Sequence, residues 1–131
     1  MANLTVNGKE YALDTLSDNA RSQLESLKFA EQKINQLQAE QAVTQTARNV
    51  YAQALAGQLP EAMAEGDVVE GDTITINEVK YSLARFSDEA KSKLASLRLT
   101  DQKLSQLQVD LAIAKTARSA YTQALGADLP A

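Results

Sequence analysis

The chain of 131 residues is 44% apolar and 23% charged, with no histidine and no cysteine. That composition belongs to one folded domain or two very small ones, and it excludes disulfides, thiol nucleophiles, imidazole acid–base chemistry and the usual zinc ligand sets. Thirteen bases against seventeen acids leave a net charge of −4, a balance that repels a polyanion, so no nucleic-acid partner is expected.

The opening residues, Met1-Ala2-Asn3-Leu4-Thr5, carry no basic stretch leading into an apolar run, so no secretory signal is visible. Nowhere do about eighteen apolar residues follow one another, and neither a membrane span nor a membrane partner is expected. The alternation of Leu4-Thr5-Val6 and Lys9-Glu10-Tyr11-Ala12-Leu13 around Asn7-Gly8 predicts a β-hairpin, because Asn and Gly both tolerate the positive φ of a type I′ turn. An isolated two-stranded hairpin is only marginally stable in water, so it must lie on a helix or join a larger sheet.

Ser17-Asp18 then marks a helix start, with the serine oxygen placed to accept from a free N–H and the aspartate favoured by the helix dipole. The glutamate of a capping box is missing, since Ala20 stands in its place. Helical composition continues without Gly or Pro to Ala56, and Gly57 with Pro60 beyond it predicts the end. At about 100° per residue Leu27, Ile34 and Leu37 share a face while Phe29 points away from it. This predicts a break near Lys28 to Glu31, giving a short helix followed by a long one.

Residues 61 to 73 hold five acids, two glycines and no base, which predicts a solvated linker. Past it the pattern returns. Leu4 to Pro60 laid over Ile74 to Pro130 at a constant offset of 70, without gaps, gives 26 identities in 57 positions. This is a tandem duplication. The domain organisation is therefore repeat 1 (1–60), the acidic linker (61–73) and repeat 2 (74–131). Exchanges such as Leu4/Ile74, Val6/Ile76, Leu16/Phe86, Phe29/Leu99, Ile34/Leu104 and Val43/Ile113 keep an apolar side chain and predict packed positions. The second hairpin has Asn77-Glu78 at its turn, and glutamate there predicts a different turn type. The second helix starts at Ser87-Asp88 and is expected to end at Gly126, with Thr100 before Asp101 as the expected cap at a second break.

The fold class is thus mainly α with short β-hairpins (α+β), each repeat a β-hairpin, a short helix and a long coiled-coil-like helix. The long helix carries a heptad-like series, Ile34, Leu37, Gln41, Thr44, Arg48, Tyr51 and Leu55, matched by Leu104, Leu107, Leu111, Ala114, Arg118, Tyr121 and Leu125. Another ridge, Val43-Ala47-Val50-Ala54 and Ile113-Ala117-Ala120-Ala124, lies on a different face. One partner helix covers one ridge, so the other calls for a further subunit or a different protein.

Chemistry has few candidates. Arg48 with Tyr51 and Arg118 with Tyr121 form a repeated Thr-Ala-Arg-x-x-Tyr motif on one helix face. Capture of an anion is one reading; the better one is a seam contact with a packed arginine stem and its head bonded across the helices. Asp88-Glu89 sits in a first helical turn, where a dipole role suffices. No phosphate loop, nucleophile elbow or metal-ligand spacing is present, so no enzyme activity, cofactor, metal or small-molecule substrate is expected.

The succession Thr-x-Asn-Gly-Lys-Glu-Tyr, Leu-Ser-Asp-x-Ala-(Arg/Lys)-x-x-Leu-x-Ser-Leu, Gln-Leu-Gln and Thr-Ala-Arg-x-x-Tyr-x-x-Ala-Leu resembles a family of small bacterial and bacteriophage proteins of unknown function, here as a fused pair. The resemblance implies a bacterial or phage source and carries over no catalytic residue. Two functions are expected from the whole pattern. One is a non-catalytic, self-associating structural or assembly protein, a bacteriophage virion component. The alternative is a cytoplasmic adaptor or regulator that binds a partner protein through its apolar helix faces. Localisation is cytoplasmic or virion accordingly. The partner interface, with a homo-oligomer or other protein subunits, is expected at Val43, Arg48, Val50, Tyr51, Ile113, Arg118, Ala120 and Tyr121.

Overall fold

A computed structural model of the chain describes residues 3–6, 8–64, 66 and 71–130. Each repeat forms a β-hairpin, a 3-10 turn and one long helix. In the first these are β1 (Asn3–Val6), β2 (Lys9–Ala12), the turn Leu13–Thr15 and α1 (Asp18–Ala56); in the second they are β3 (Thr73–Ile76), β4 (Val79–Ser82), the turn Leu83–Arg85 and α2 (Asp88–Asp128). The hairpins stay separate as two-stranded antiparallel sheets. Their registers match, with Leu4 opposite Tyr11 in one and Ile74 opposite Tyr81 in the other.

Both helices start at the expected serines. The Ala20 N–H donates to Ser17 Oγ (3.1 Å) and the Ala90 N–H to Ser87 Oγ (3.0 Å), which satisfies one of the N–H groups left free in a first turn. Ala20 and Ala90 are themselves fully buried. A capping-box glutamate at either place would have to enter the core, which explains why the box is incomplete.

The chain divides into two compact units that cut across the repeats: Met1–Gln41 with Gln106–Ala131, and Ala42–Ser105. In the first unit hairpin β1–β2 packs on the start of α1 and the end of α2. Its buried residues are Leu16, Ala20, Leu24 and Leu125, flanked by Leu4, Val6, Tyr11, Leu13, Leu27 and Leu129. In the second unit hairpin β3–β4 packs on the start of α2 and the end of α1. Here Phe86, Ala90, Leu94 and Leu55 are buried, flanked by Ile74, Ile76, Tyr81, Leu83, Leu97 and Leu59. Every member of one cluster has its counterpart 70 positions away in the other. Each hairpin is therefore completed by the helix end of the opposite repeat, and within each unit the two helices run antiparallel. The first unit holds a further cluster, Ile34, Leu37, Leu107, Leu111 and Ala114.

The heptad-like series forms the inner face: every residue in it is buried or half-buried. Other expectations change. Neither helix breaks near 28–31 or 98–101, and the short helical element described in each repeat is the 3-10 turn ahead of the long helix. Phe29 stays 72% exposed instead. With no Gly or Pro in the stretch, unwinding would strand backbone N–H and C=O groups to shelter one ring. Thr100 caps nothing; its hydroxyl donates to the Leu97 carbonyl one turn back (2.8 Å). Gly126 does not end α2, which runs on to Asp128 while Leu129 packs into the first unit. At the end of α1 the Gly57 N–H reaches Gln53 O (3.2 Å) and the Gln58 N–H reaches Leu55 O (2.9 Å), a tightened last turn that needs no left-handed glycine.

The second hairpin turn also differs from expectation. Asn77 and Glu78 both have positive φ, 50° and 68°, the signature of the type I′ turn that matches strand twist. Strand pairing on both sides imposes that geometry despite the glutamate. Of the stretch expected as linker, Thr73 already belongs to β3, the Met63 N–H donates to Lys80 O (2.9 Å), and Asp72 O accepts from Leu83 N–H (3.1 Å). Val68, Val69 and the acids Glu65, Asp67 and Glu70 lie outside the described residues.

Candidate partner-binding surface

The residues expected at an interface fall into both units. Ile113, Arg118, Ala120 and Tyr121 belong to the first, Val43, Arg48, Val50 and Tyr51 to the second. Arg48 is engaged within its own unit. Its Nε donates to Asp101 Oδ1 of α2 (2.5 Å), with the two side chains 37% and 49% exposed. This is the cross-helix seam contact, and a pair so open to water contributes at most about 1 kcal/mol. Arg118, Tyr51 and Tyr121 are half-buried, and Ala120 is exposed.

The large apolar residues of the outer ridge face solvent, while its alanines Ala47, Ala54, Ala117 and Ala124 are half-buried. Val43 is 70% exposed and Ile113 63%, and Val50 is exposed as well. Phe29 and its counterpart Leu99 (65%) behave alike. Two of the apolar exchanges between repeats, Phe29/Leu99 and Val43/Ile113, thus lie at surface positions rather than the packed ones expected. The exchange pattern reports where an apolar side chain is retained, and among the described residues nothing shelters these four from water.

Each unit consequently displays the same pair, Phe29 with Ile113 in the first and Leu99 with Val43 in the second. In the first unit these side chains border a groove of about 370 Å³ between α1 and α2, whose walls also carry Ala30, Lys33, Asp110 and Tyr121. Sequence reasoning brings Ile113 and Tyr121 to this surface and misses Phe29. Its outward angle is visible in the sequence, where it reads as a reason for the helix to break.

Among the described residues no group of three or more His, Cys, Asp or Glu side chains is placed to hold a metal ion, and no helix is long and apolar enough to cross a membrane. Comparison of the chain with protein-family models, curated proteins and solved structures gives no match. The likeness to bacterial and phage proteins therefore rests on the quoted motifs alone.

Proposed function

We propose that the protein is a non-catalytic, self-associating structural or assembly component that uses the outer faces of its long helices. The observation that carries this reading is the repeated exposure of Phe29 with Ile113 and of Leu99 with Val43. A duplication that diverged at more than half of its aligned positions kept large apolar side chains where water now meets them, and a lone soluble chain seldom displays such groups together. The absence of histidine and cysteine from the sequence agrees with a binding role rather than a chemical one. A place in a bacteriophage particle is the most specific form of the proposal, and the motif likeness is its support.

The test is solution mass by light scattering over a wide concentration range. The unmodified chain should exceed monomer mass. The double variant Val50→Lys/Ile113→Lys should form smaller particles with unchanged helical circular dichroism, because charge on an interface opposes association more than it opposes a fold that already leaves those positions wet. A chain that stays monomeric at every concentration contradicts self-association. Capture of one defined, different protein by that monomer would favour the adaptor reading.

A further inference from the structure

We propose that the groove bordered by Phe29 and Ile113 is the docking site for a second copy of this chain, related by a two-fold axis so that Phe29 of each copy enters the groove of the other. The inference deepens the self-association reading and rests on it. A protruding ring and an open apolar recess stand on the same surface of one unit: Phe29 is 72% exposed at the edge of a space of about 370 Å³. A two-fold pairing is self-complementary, residue i of one copy meeting j of the other and j meeting i, so it fills both recesses and covers both rings at once. Alanines line the space; Ala30 and Ala114 are buried, and such small side chains let an incoming ring or helix approach closely.

Charge complementarity points to the same occupant. Lys33 on α1 and Asp110 on α2 both line the groove. Gln106 Nε2 donates to Asp110 Oδ1 (2.9 Å), and a carboxylate has further acceptor sites to offer. A two-fold axis running along the groove lays α1 of each copy over α2 of the other, and in that arrangement Lys33 of each copy meets Asp110 of the other, two opposite-charge contacts at the rim of an apolar patch. Rim charges of this kind select the partner and its orientation more than they add affinity.

The symmetry supplies its own test on the full chain. Lys33→Glu alone sets carboxylate against carboxylate at both contacts of a homodimer, and Asp110→Lys alone sets ammonium against ammonium at both. Each variant should therefore dimerise about tenfold or more weakly than the unmodified chain. Mixed one to one, the two variants restore both opposite-charge contacts, so a heterodimer should form at concentrations where neither variant pairs with itself. Phe29→Lys should weaken the dimer without lowering helical circular dichroism, since the ring is exposed within the chain. A mixture that remains two monomers, or an unmodified dimer that none of these substitutions weakens, overturns the groove as the docking site while leaving self-association through another face standing. An unmodified chain that is monomeric throughout overturns both.

Discussion

The two units share one plan but differ in how the chain reaches it. The second is a single stretch, Ala42–Ser105, whereas the first joins the beginning of the chain to its end. Leu55 and Phe86 of the second core are 31 positions apart (86 − 55), while Leu16 and Leu125 of the first are 109 apart (125 − 16). Closing the longer loop from an unfolded chain costs about 1 kcal/mol more by the logarithmic rule. On loop-closure grounds we expect the second unit to form first, which would shorten the loop that the first still has to close.

This comparison can be broken most strongly through the buried leucines. Leu24 and Leu94 occupy equivalent places and are 7% and 5% exposed, so replacing either with alanine should cost about 2–5 kcal/mol in chemical denaturation. The kinetic partition should differ. Leu94→Ala should mainly slow folding and Leu24→Ala should mainly speed unfolding, because only contacts already made at the barrier affect the folding rate. Stopped-flow folding and unfolding arms measure this directly. The same partition for both variants would mean that the connectivity of the units has no kinetic consequence.

A smaller effect is expected at the position where the hairpins differ in polarity. Ser82 is 1% exposed and its hydroxyl has no hydrogen-bond partner among the described residues, while the equivalent residue of the first hairpin is Ala12. An unsatisfied buried hydroxyl is costly, and removing it leaves no bond broken. Ser82→Ala should raise the unfolding free energy by about 1 kcal/mol, and Ala12→Ser should lower it. A loss of stability in Ser82→Ala would identify a hydrogen bond to bound water at that site.

The smallest effect belongs to the turns. Gly8 takes φ 79° with open space around its Cα, and Glu78 takes φ 68° at the equivalent position. A side chain in this region costs about 1–2 kcal/mol, offset in part by the greater freedom a glycine loses on folding. Glu78→Gly should stabilise by roughly 0.5–1 kcal/mol and Gly8→Glu should destabilise by a similar amount, both read from melting curves.

Much of this is legible because duplication lets the sequence be compared with itself. The hairpins, the serine caps and the inner helix face follow from turn chemistry, capping and a heptad-like spacing. What stays hidden depends on energies that a local pattern does not contain. Phe29 reads as evidence for a kink, since an angular analysis assumes that a large ring will be sheltered; the cost of unwinding a helix without Gly or Pro prevails. The type I′ turn at Asn77-Glu78 is imposed by strand pairing against the glutamate's own preference. The crossed units are also out of reach, because repeats of nearly equal composition can be packed within or between copies with the same periodicity. Of the candidate surface, Ile113 and Tyr121 follow from the ridge and the motif, whereas the groove that joins them to Phe29 emerges only when the two helices are laid side by side.

If each hairpin is held by the helix end of the opposite repeat, amide hydrogen exchange on two single variants will reveal it. Leu125→Ala should remove protection from the β1–β2 hairpin and leave β3–β4 protected, and Leu55→Ala should do the reverse. Loss of protection in the hairpin of the mutated residue's own repeat, with the other hairpin unaffected, would contradict the crossed packing.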